Sequence, residues 1–389
     1  MSKLDELTRE LCPDGVEYKN LKDVCTFNRG KSLVSKNAVN GNVPVISGGK
    51  KPAFYHNESN RNGITITVAG SGAYAGYVSI WYEPIFCCDA FSVDPIDEKI
   101  INVKYLYHFL LSKQNKIYHK KTGAGIPHVH GKDIAKLKIP MPPLEVQEEI
   151  VRILDNFTEL TAELTAELTV RKQQYEYYRN ILLTFDDNME WNTLEELLQP
   201  KGYIRGPFGS ALKKEFFVEE GIPVYEQQHA IYDKRTFRYF IDGDRAEKLK
   251  RFMVKPNDII ISCSGTIGKI SIITSNDKIG IINQALLILR FDLSKVKIKY
   301  IKYYLECFTN LIVTSSGGAI TNIEKRAVIE RIRIPVPPLS KQQHIIDILG
   351  WFDQLCNDIS VGLPAEIEAR KKQYEYYRDK LLTFKEKIS

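Results

Sequence analysis

The chain is written twice. Residues 171–185 read RKQQYEYYRNILLTF and residues 370–384 read RKKQYEYYRDKLLTF, identical at twelve of fifteen positions. Residues 139–157 (IPMPPLEVQEEIVRILDNF) and 334–352 (IPVPPLSKQQHIIDILGWF) repeat in the same way, and VEYKNL at Val16–Leu21 is echoed by MEWNTL at Met189–Leu194. A tandem duplication constrains the fold strongly, because one supersecondary unit must form twice and bury its apolar face twice. Each half runs variable segment first, shared segment second.

The shared segments read as long helices. Pro142-Pro143 blocks helix before it and suits a helix start after it. Apolar residues then fall at Ile150, Leu154, Phe157, Leu164, Leu168, Tyr175, Tyr178, Leu182 and Phe185, in the steps of three and four of a coiled-coil seam. The second copy runs through Ile345, Leu349, Phe352, Ile359, Ile367, Tyr374, Tyr377, Leu381 and Phe384. Gly362-Leu363-Pro364 predicts a break there. Phe157 to Arg171 is 14 residues but Phe352 to Arg370 is 18, so the copies depart from strict symmetry at that point. The simplest way to bury both seams is antiparallel pairing.

The variable segments carry strand signals. GITITVAG, GYVSIWY and FSVDP in the first half correspond to DIIISCSG, KISIITS and ALLILRF in the second. The turn Ala69-Gly70-Ser71-Gly72 matches Ser262-Cys263-Ser264-Gly265, and helix-like stretches recur at Val103–Ser112 and Ile298–Phe308. The expected fold is α+β: two α/β domains separated by two long helices in an antiparallel coiled coil, with pseudo-twofold symmetry. The expected boundaries are 1–140 for the first domain, 141–186 for its helical spacer, 187–335 for the second domain and 336–389 for the second spacer.

The residues offer no catalytic constellation. Pro13-Asp14 with Glu17-Tyr18-Lys19 resembles a nuclease metal site, but its acids are too close for neighbouring strands, and a turn entering a strand is the better reading. Met141-Pro142-Pro143-Leu144 and Val336-Pro337-Pro338-Leu339 lack the leading Asn or Asp of amino-methyltransferases. Ser47-Gly48-Gly49-Lys50 lacks P-loop spacing. His128-Val129-His130 aligns two rings on a strand without a third ligand, so no metal is assigned. The seven cysteines form no CxxC pair and read as reduced thiols of a cytoplasmic protein. The opening MSKLDELTREL lacks the apolar core of a secretory signal, and no apolar run approaches a membrane span.

Basic and polar residues do gather beside glycine-rich loops. With a net charge of +6, a nucleic-acid partner is permitted but not required. In the first half the candidates for DNA contact are Lys31, Lys50, Lys51, Ser71, Tyr74, Lys120 and Lys121, the last pair preceding Thr122-Gly123-Ala124-Gly125. In the second they are Arg205, Lys213, Lys214, Gln227, Gln228, Ser264, Thr266 and Lys269, with His229 and Lys234-Arg235 nearby. Lysine and arginine suit phosphates; Gln, Arg and Ser suit base edges. A coiled-coil adaptor without DNA contact, or a stand-alone methyltransferase or nuclease, are the competing readings.

The duplicated variable domains, the near-identical RK(Q/K)QYEYYR(N/D) helices, the opening ELCPDGVEYKNL and the IPxPPLxxQ(Q/E) helix starts together resemble the specificity (S) subunit of type I restriction-modification systems over the whole chain. The TAEL repeats at Thr161–Leu164 and Thr165–Leu168 resemble its IC-like branch. The resemblance implies a non-catalytic subunit whose two target-recognition domains each read half of a bipartite double-stranded DNA site. It implies that the helices, around Tyr175, Tyr178, Tyr374 and Tyr377, dock two methyltransferase (M) subunits, and that two restriction (R) subunits join, with the S subunit of a modification-only methyltransferase as the narrower alternative. The chain itself would bind no cofactor; S-adenosylmethionine, ATP and Mg would serve the partners. It also gives the repeat a meaning. Four helical residues add about 6 Å and a net turn of about 40°, close to the rotation of one DNA base pair, about 35°. Thr161, Leu164, Thr165 and Leu168 are then expected to set the spacer between half-sites.

Overall fold

The computed structural model describes residues 2–387 apart from 124, 187, 265, 310–312, 315–321, 324 and 359. The chain folds as two compact units, one made of Met1–Glu167 with Leu363–Ser389, the other of Leu168–Gly362. The division does not follow the order of the sequence. Each helical copy begins in the unit of the domain that precedes it and ends in the other unit.

The same main sheet is built twice. In the first unit its order is Cys25–Arg29, Ala90–Pro95, Thr65–Ala69 and Val78–Trp81, all antiparallel. In the second it is Leu198–Arg205, Leu286–Phe291, Ile259–Ser262 and Ile270–Ile272. The inner strands are covered on both faces, which is why TITVA and IIIS read as unbroken apolar or small runs without alternation. In the second unit the odd residues Ile259 and Ile261 pack with Tyr300, Tyr304 and Leu305 of the Ile298–Cys307 helix. Ile260, on the opposite face, packs with Tyr225, Ala230 and Val254, the period-2 division a strand imposes.

Other pairings close each domain on itself. A smaller sheet runs Phe54–His56, Val43–Ile46, Phe86–Cys87 in the first unit and Phe217–Val218, Phe240–Ile241, Ile222–Tyr225, Ile281–Ile282 in the second. In each, the pairing with the final strand is parallel. Glu17–Asn20 pairs with Lys138–Met141, and Trp191–Thr193 pairs with Arg333–Pro335, so the start and end of each domain zip together. Pro13-Asp14 is a turn ahead of a strand.

The proline-rich helix starts have a shared internal fastening. Gln147 is fully buried; its amide donates to Ile100 O (2.9 Å) and Pro142 O (2.8 Å), and its carbonyl accepts from the Asn102 N–H (2.9 Å). Gln342 repeats this with Lys295 O (3.3 Å), Pro337 O (2.8 Å) and the Lys297 N–H (2.8 Å). Tyr105 and Tyr300 donate to Pro140 O and Pro335 O, at 3.0 and 2.8 Å.

The first helical copy runs unbroken over Leu144–Leu183. The second is in two pieces, Leu339–Asn357 and Leu363–Leu381. Gly362 permits the break, since a Cβ there would lie 2.4 Å from Gln354 O, and Pro364 occupies the first turn, where no N–H is needed. Ile359 lies outside the described residues. In the first unit Phe157 stacks on Tyr377, with ring centroids 5.4 Å apart; in the second Phe352 stacks on Tyr178 at 5.6 Å. The copies differ beneath these rings. Buried His108 bridges Asp155 (3.0 Å) and the Tyr374 hydroxyl (2.9 Å), whereas the second unit has Tyr303 in place of the histidine and Gly350 in place of the aspartate.

Candidate nucleic-acid interface

Strand register brings the glycine-rich loops of each unit to one end of its main sheet. In the first unit the Gly30 N–H bonds to Ala90 O (2.9 Å) and the Gly70 N–H to Asp89 O (3.0 Å). In the second the Gly206 N–H bonds to Leu286 O (3.0 Å) and the Cys263 N–H to Ala285 O (2.8 Å). Arg29 is thereby equivalent to Arg205, and Ser71 to Ser264. Both arginines precede a glycine that nothing larger could replace: a Cβ on Gly30 would lie 2.2 Å from Cys88 O, and one on Gly206 1.8 Å from Asn283 O.

Several candidates of the first unit meet at this end. The Lys50 ammonium lies 5.1 Å from the Tyr74 ring, and Lys121 donates to Ala73 O (3.1 Å) in the same turn. The Ser71 hydroxyl donates to the Asp89 carboxylate. Gly48 passes so close to Ser71 O that a Cβ would stand 2.3 Å away. His128 and His130 stack in parallel, 6.1 Å apart, above a 220 Å³ pocket that also reaches Arg29, Asp89 and Lys132. Lys31, Lys51 and Lys120 are exposed in the loops alongside. Ala124 lies outside the described residues.

In the second unit Ser264, Thr266 and Lys269 are exposed on one turn. That turn is held by Ser262, whose hydroxyl donates to Thr266 O (2.6 Å) and accepts from the Lys269 N–H (3.0 Å). Gly265 lies outside the described residues. Gln227 and Gln228 open the Gln227–Ile231 helix half-buried, and Gln228 donates to Glu226 (3.2 Å). Lys213 and Lys214 are exposed, Lys213 paired with Glu215 at 3.7 Å.

His229 is internal. It is fully buried, with Nδ1 against the Glu226 backbone (2.8 Å from its N–H) and Nε2 3.1 Å from Thr236 O. Burial lowers its pKa. A histidine with a depressed folded pKa stabilises the fold fully above its unfolded value near 6.5. That stability is lost as pH falls from there through the folded value. The second unit should therefore melt at lower temperature at pH 5.5 than at pH 7.5, with the difference reduced in His229→Gln; a pH-independent melt would contradict this. Burial also pushes the Cys25 thiol up to about 12 and Cys87 and Cys263 to about 11, so these thiols are unreactive.

The helical candidates divide into supporting and outward rings. Tyr374 is held by His108, and Tyr175 packs against Phe352 at 6.1 Å. Tyr178 and Tyr377 are partly exposed in their stacks, while the neighbouring Tyr177 and Tyr376 are 62% and 63% exposed. The repeat lies within the unbroken Leu144–Leu183 helix; Thr161 and Thr165 turn their hydroxyls back to Phe157 O and Thr161 O, 2.7 Å each, and Leu164 and Leu168 are half-buried.

Two further residues stand at these ends, Asp89 in the first unit and Phe208 in the second. Asp89 is an exposed acceptor suited to a cytosine amino group. Phe208 follows Gly206-Pro207, and an aromatic residue in a Gly-Pro turn was the available signal. Among the described residues no group of His, Cys, Asp and Glu could hold a metal ion, and no helix is long and apolar enough to cross a membrane.

Comparison with known proteins gives this geometry its context. Residues 13–170 and 209–369 match the model of the type I restriction modification DNA specificity domain. The chain is similar to the EcoR124I/EcoR124II specificity subunit of Escherichia coli, 33% identical over 75% of this chain and 73% of that one. It is also similar to a putative type I restriction enzyme specificity subunit of Haemophilus influenzae, 32% identical over 95% and 96%. Among solved structures, the S subunit of a type I system from M. genitalium shares the fold with a TM-score of 0.60 at 18% identity, covering 95% of this chain and 96% of that one. Such subunits are non-catalytic; partner subunits perform the chemistry. The chain belongs to the family of type I restriction-modification specificity subunits.

Proposed function

We propose that each unit reads one half of a bipartite double-stranded DNA target through the loops at the end of its main sheet. The observation that carries this reading is the equivalence of the two loop clusters: the same strand order delivers Arg29 and Ser71 in one unit and Arg205 and Ser264 in the other. Two copies of one reading end suit two half-sites. The helical copies dock two methyltransferase subunits, for which the outward rings of Tyr177 and Tyr376 are better placed than Tyr175 or Tyr374. Two restriction subunits complete the assembly. S-adenosylmethionine, ATP and Mg act in the partners, and this chain contributes sequence choice alone. DNA binding by the chain with its methyltransferase partner should be sequence-dependent and weaken steeply with salt; salt-insensitive or absent binding would favour the adaptor reading.

The helix between the domains is proposed to set the spacer. Inserting a third Thr-Ala-Glu-Leu after Leu168 adds about 6 Å and a net turn of about 40°, nearly the rotation of a base pair. The expected result is a methylated motif with both half-sites unchanged and a spacer one base pair longer. An unchanged spacer would show that the repeat is plain helix.

A further inference from the structure

The reading end of the second unit carries an apolar side chain that hydrogen-bond readout leaves unused. Phe208 is 90% exposed, more than any other large hydrophobic residue described. Its loop cannot fold it away. Gly206 is pinned at its N–H by Leu286 O (3.0 Å) and at its Cα by the approach of Asn283 O. Pro207 fixes its own φ, and Phe208 O accepts from the Ala211 N–H (2.9 Å) to start the Gly209–Leu212 turn. The ring thus stands out from a braced backbone. Beside it lies a 640 Å³ pocket lined by Tyr203, Arg205, Arg251, Phe252 and Arg326. A bare ring at the edge of a pocket that also holds Arg205 and Arg251 suits a polyanion that offers flat apolar faces between its charges, which describes a base step of DNA between phosphates. In the first unit the equivalent Arg29-Gly30 pair is followed by Lys31-Ser32, with Ser32 at the position of Phe208, so the device belongs to one unit only.

We propose that Phe208 is a stacking wedge: the second unit inserts this ring into a base step of its half-site, with Arg205 and Arg251 on the flanking phosphates. An inserted ring unstacks the step and kinks the duplex. Pyrimidine–purine steps yield most easily, so Phe208 would select sequence at a position where no base edge is hydrogen-bonded. This inference rests on the DNA-reading role proposed above.

The test uses the full chain with its methyltransferase partner and duplexes of its mapped target carrying 2-aminopurine at successive positions of each half-site. Wild type should raise the fluorescence at one step of the second unit's half-site other than the adenine that the methyltransferase flips out. Phe208→Ala should abolish that rise and weaken binding about 10- to 100-fold, and Phe208→Leu should retain part of both. An abasic site at the same step should tighten wild-type binding and leave Phe208→Ala indifferent. Because Phe208 is exposed, melting of the variants should match wild type. Unchanged affinity and fluorescence in Phe208→Ala would overturn the wedge while leaving the two-reader account standing. Loss of methyltransferase association in that variant, with DNA binding per site intact, would assign the ring to a protein contact instead. A wild-type complex with no sequence-dependent DNA binding would sink both proposals.

Discussion

Arg290→Met should lower the stability of the second unit by about 3–5 kcal/mol. Asp258, its partner, has a side chain only 1% exposed and receives both arms of the guanidinium, Nε on Oδ1 and an Nη on Oδ2, at 2.8 Å each. The Lys255 N–H supplies one further bond at 2.7 Å, and Arg290 also reaches Met253 O (3.1 Å). Removing the arginine leaves a buried carboxylate with one donor. The penalty is the desolvation of an unpaired charge rather than the worth of the pair. Replacing both residues, Arg290→Met with Asp258→Leu, should therefore recover most of the loss. The equivalent positions of the first unit hold Thr65 and Asp94, and Asp94 accepts from Ser92 (2.7 Å) and Asn28 (2.8 Å) without an ion pair. Calorimetry should show the second unit's transition moving and the first unit's staying. A shift of both, or a loss below about 1 kcal/mol, the range of an exposed pair, would contradict the account.

Gln147→Leu should cost the first unit about 2–4 kcal/mol. The side chain keeps its volume, but the Asn102 N–H and two carbonyls, Ile100 O and Pro142 O, lose their partner in a site closed to water. Gln147→Glu should be no better, since a carboxylate cannot donate to either carbonyl and would be buried as a charge. Denaturant melts check this, and the same pair of changes at Gln342 should act on the second unit. A variant with wild-type stability would show that the PPLxxQ start is kept for something other than fastening the helix to its domain.

The parts of this fold legible in the sequence are those where physics imposes a repeat or a run. The duplicated helix showed itself by identity, and the central strands Thr65–Ala69 and Ile259–Ser262 by apolar runs that only two-sided burial requires. The strand Cys25–Arg29 was missed because it lies at a sheet edge with one buried residue in five. Leu198–Arg205 was hidden by its irregular register around Pro200-Lys201-Gly202, and the smaller sheets have strands too short for any period to develop. The exchange of helix ends between units was not legible either, because a seam says that it must be covered but not by which domain. At the site, the meeting of Lys50 with Tyr74 follows from strand register. Among the consecutive tyrosines, seam periodicity selects Tyr175, Tyr178, Tyr374 and Tyr377 and does not single out the more exposed Tyr177 and Tyr376.

Two equivalent sheet ends are proposed to read two separate pieces of DNA. Sequencing the methylated positions in DNA from cells expressing this chain with its methyltransferase partner tests it most directly. The expected result is one split motif, two specified half-sites flanking an unspecified spacer, with a methylated adenine in each. A continuous motif, or methylation specified on one side only, would contradict it.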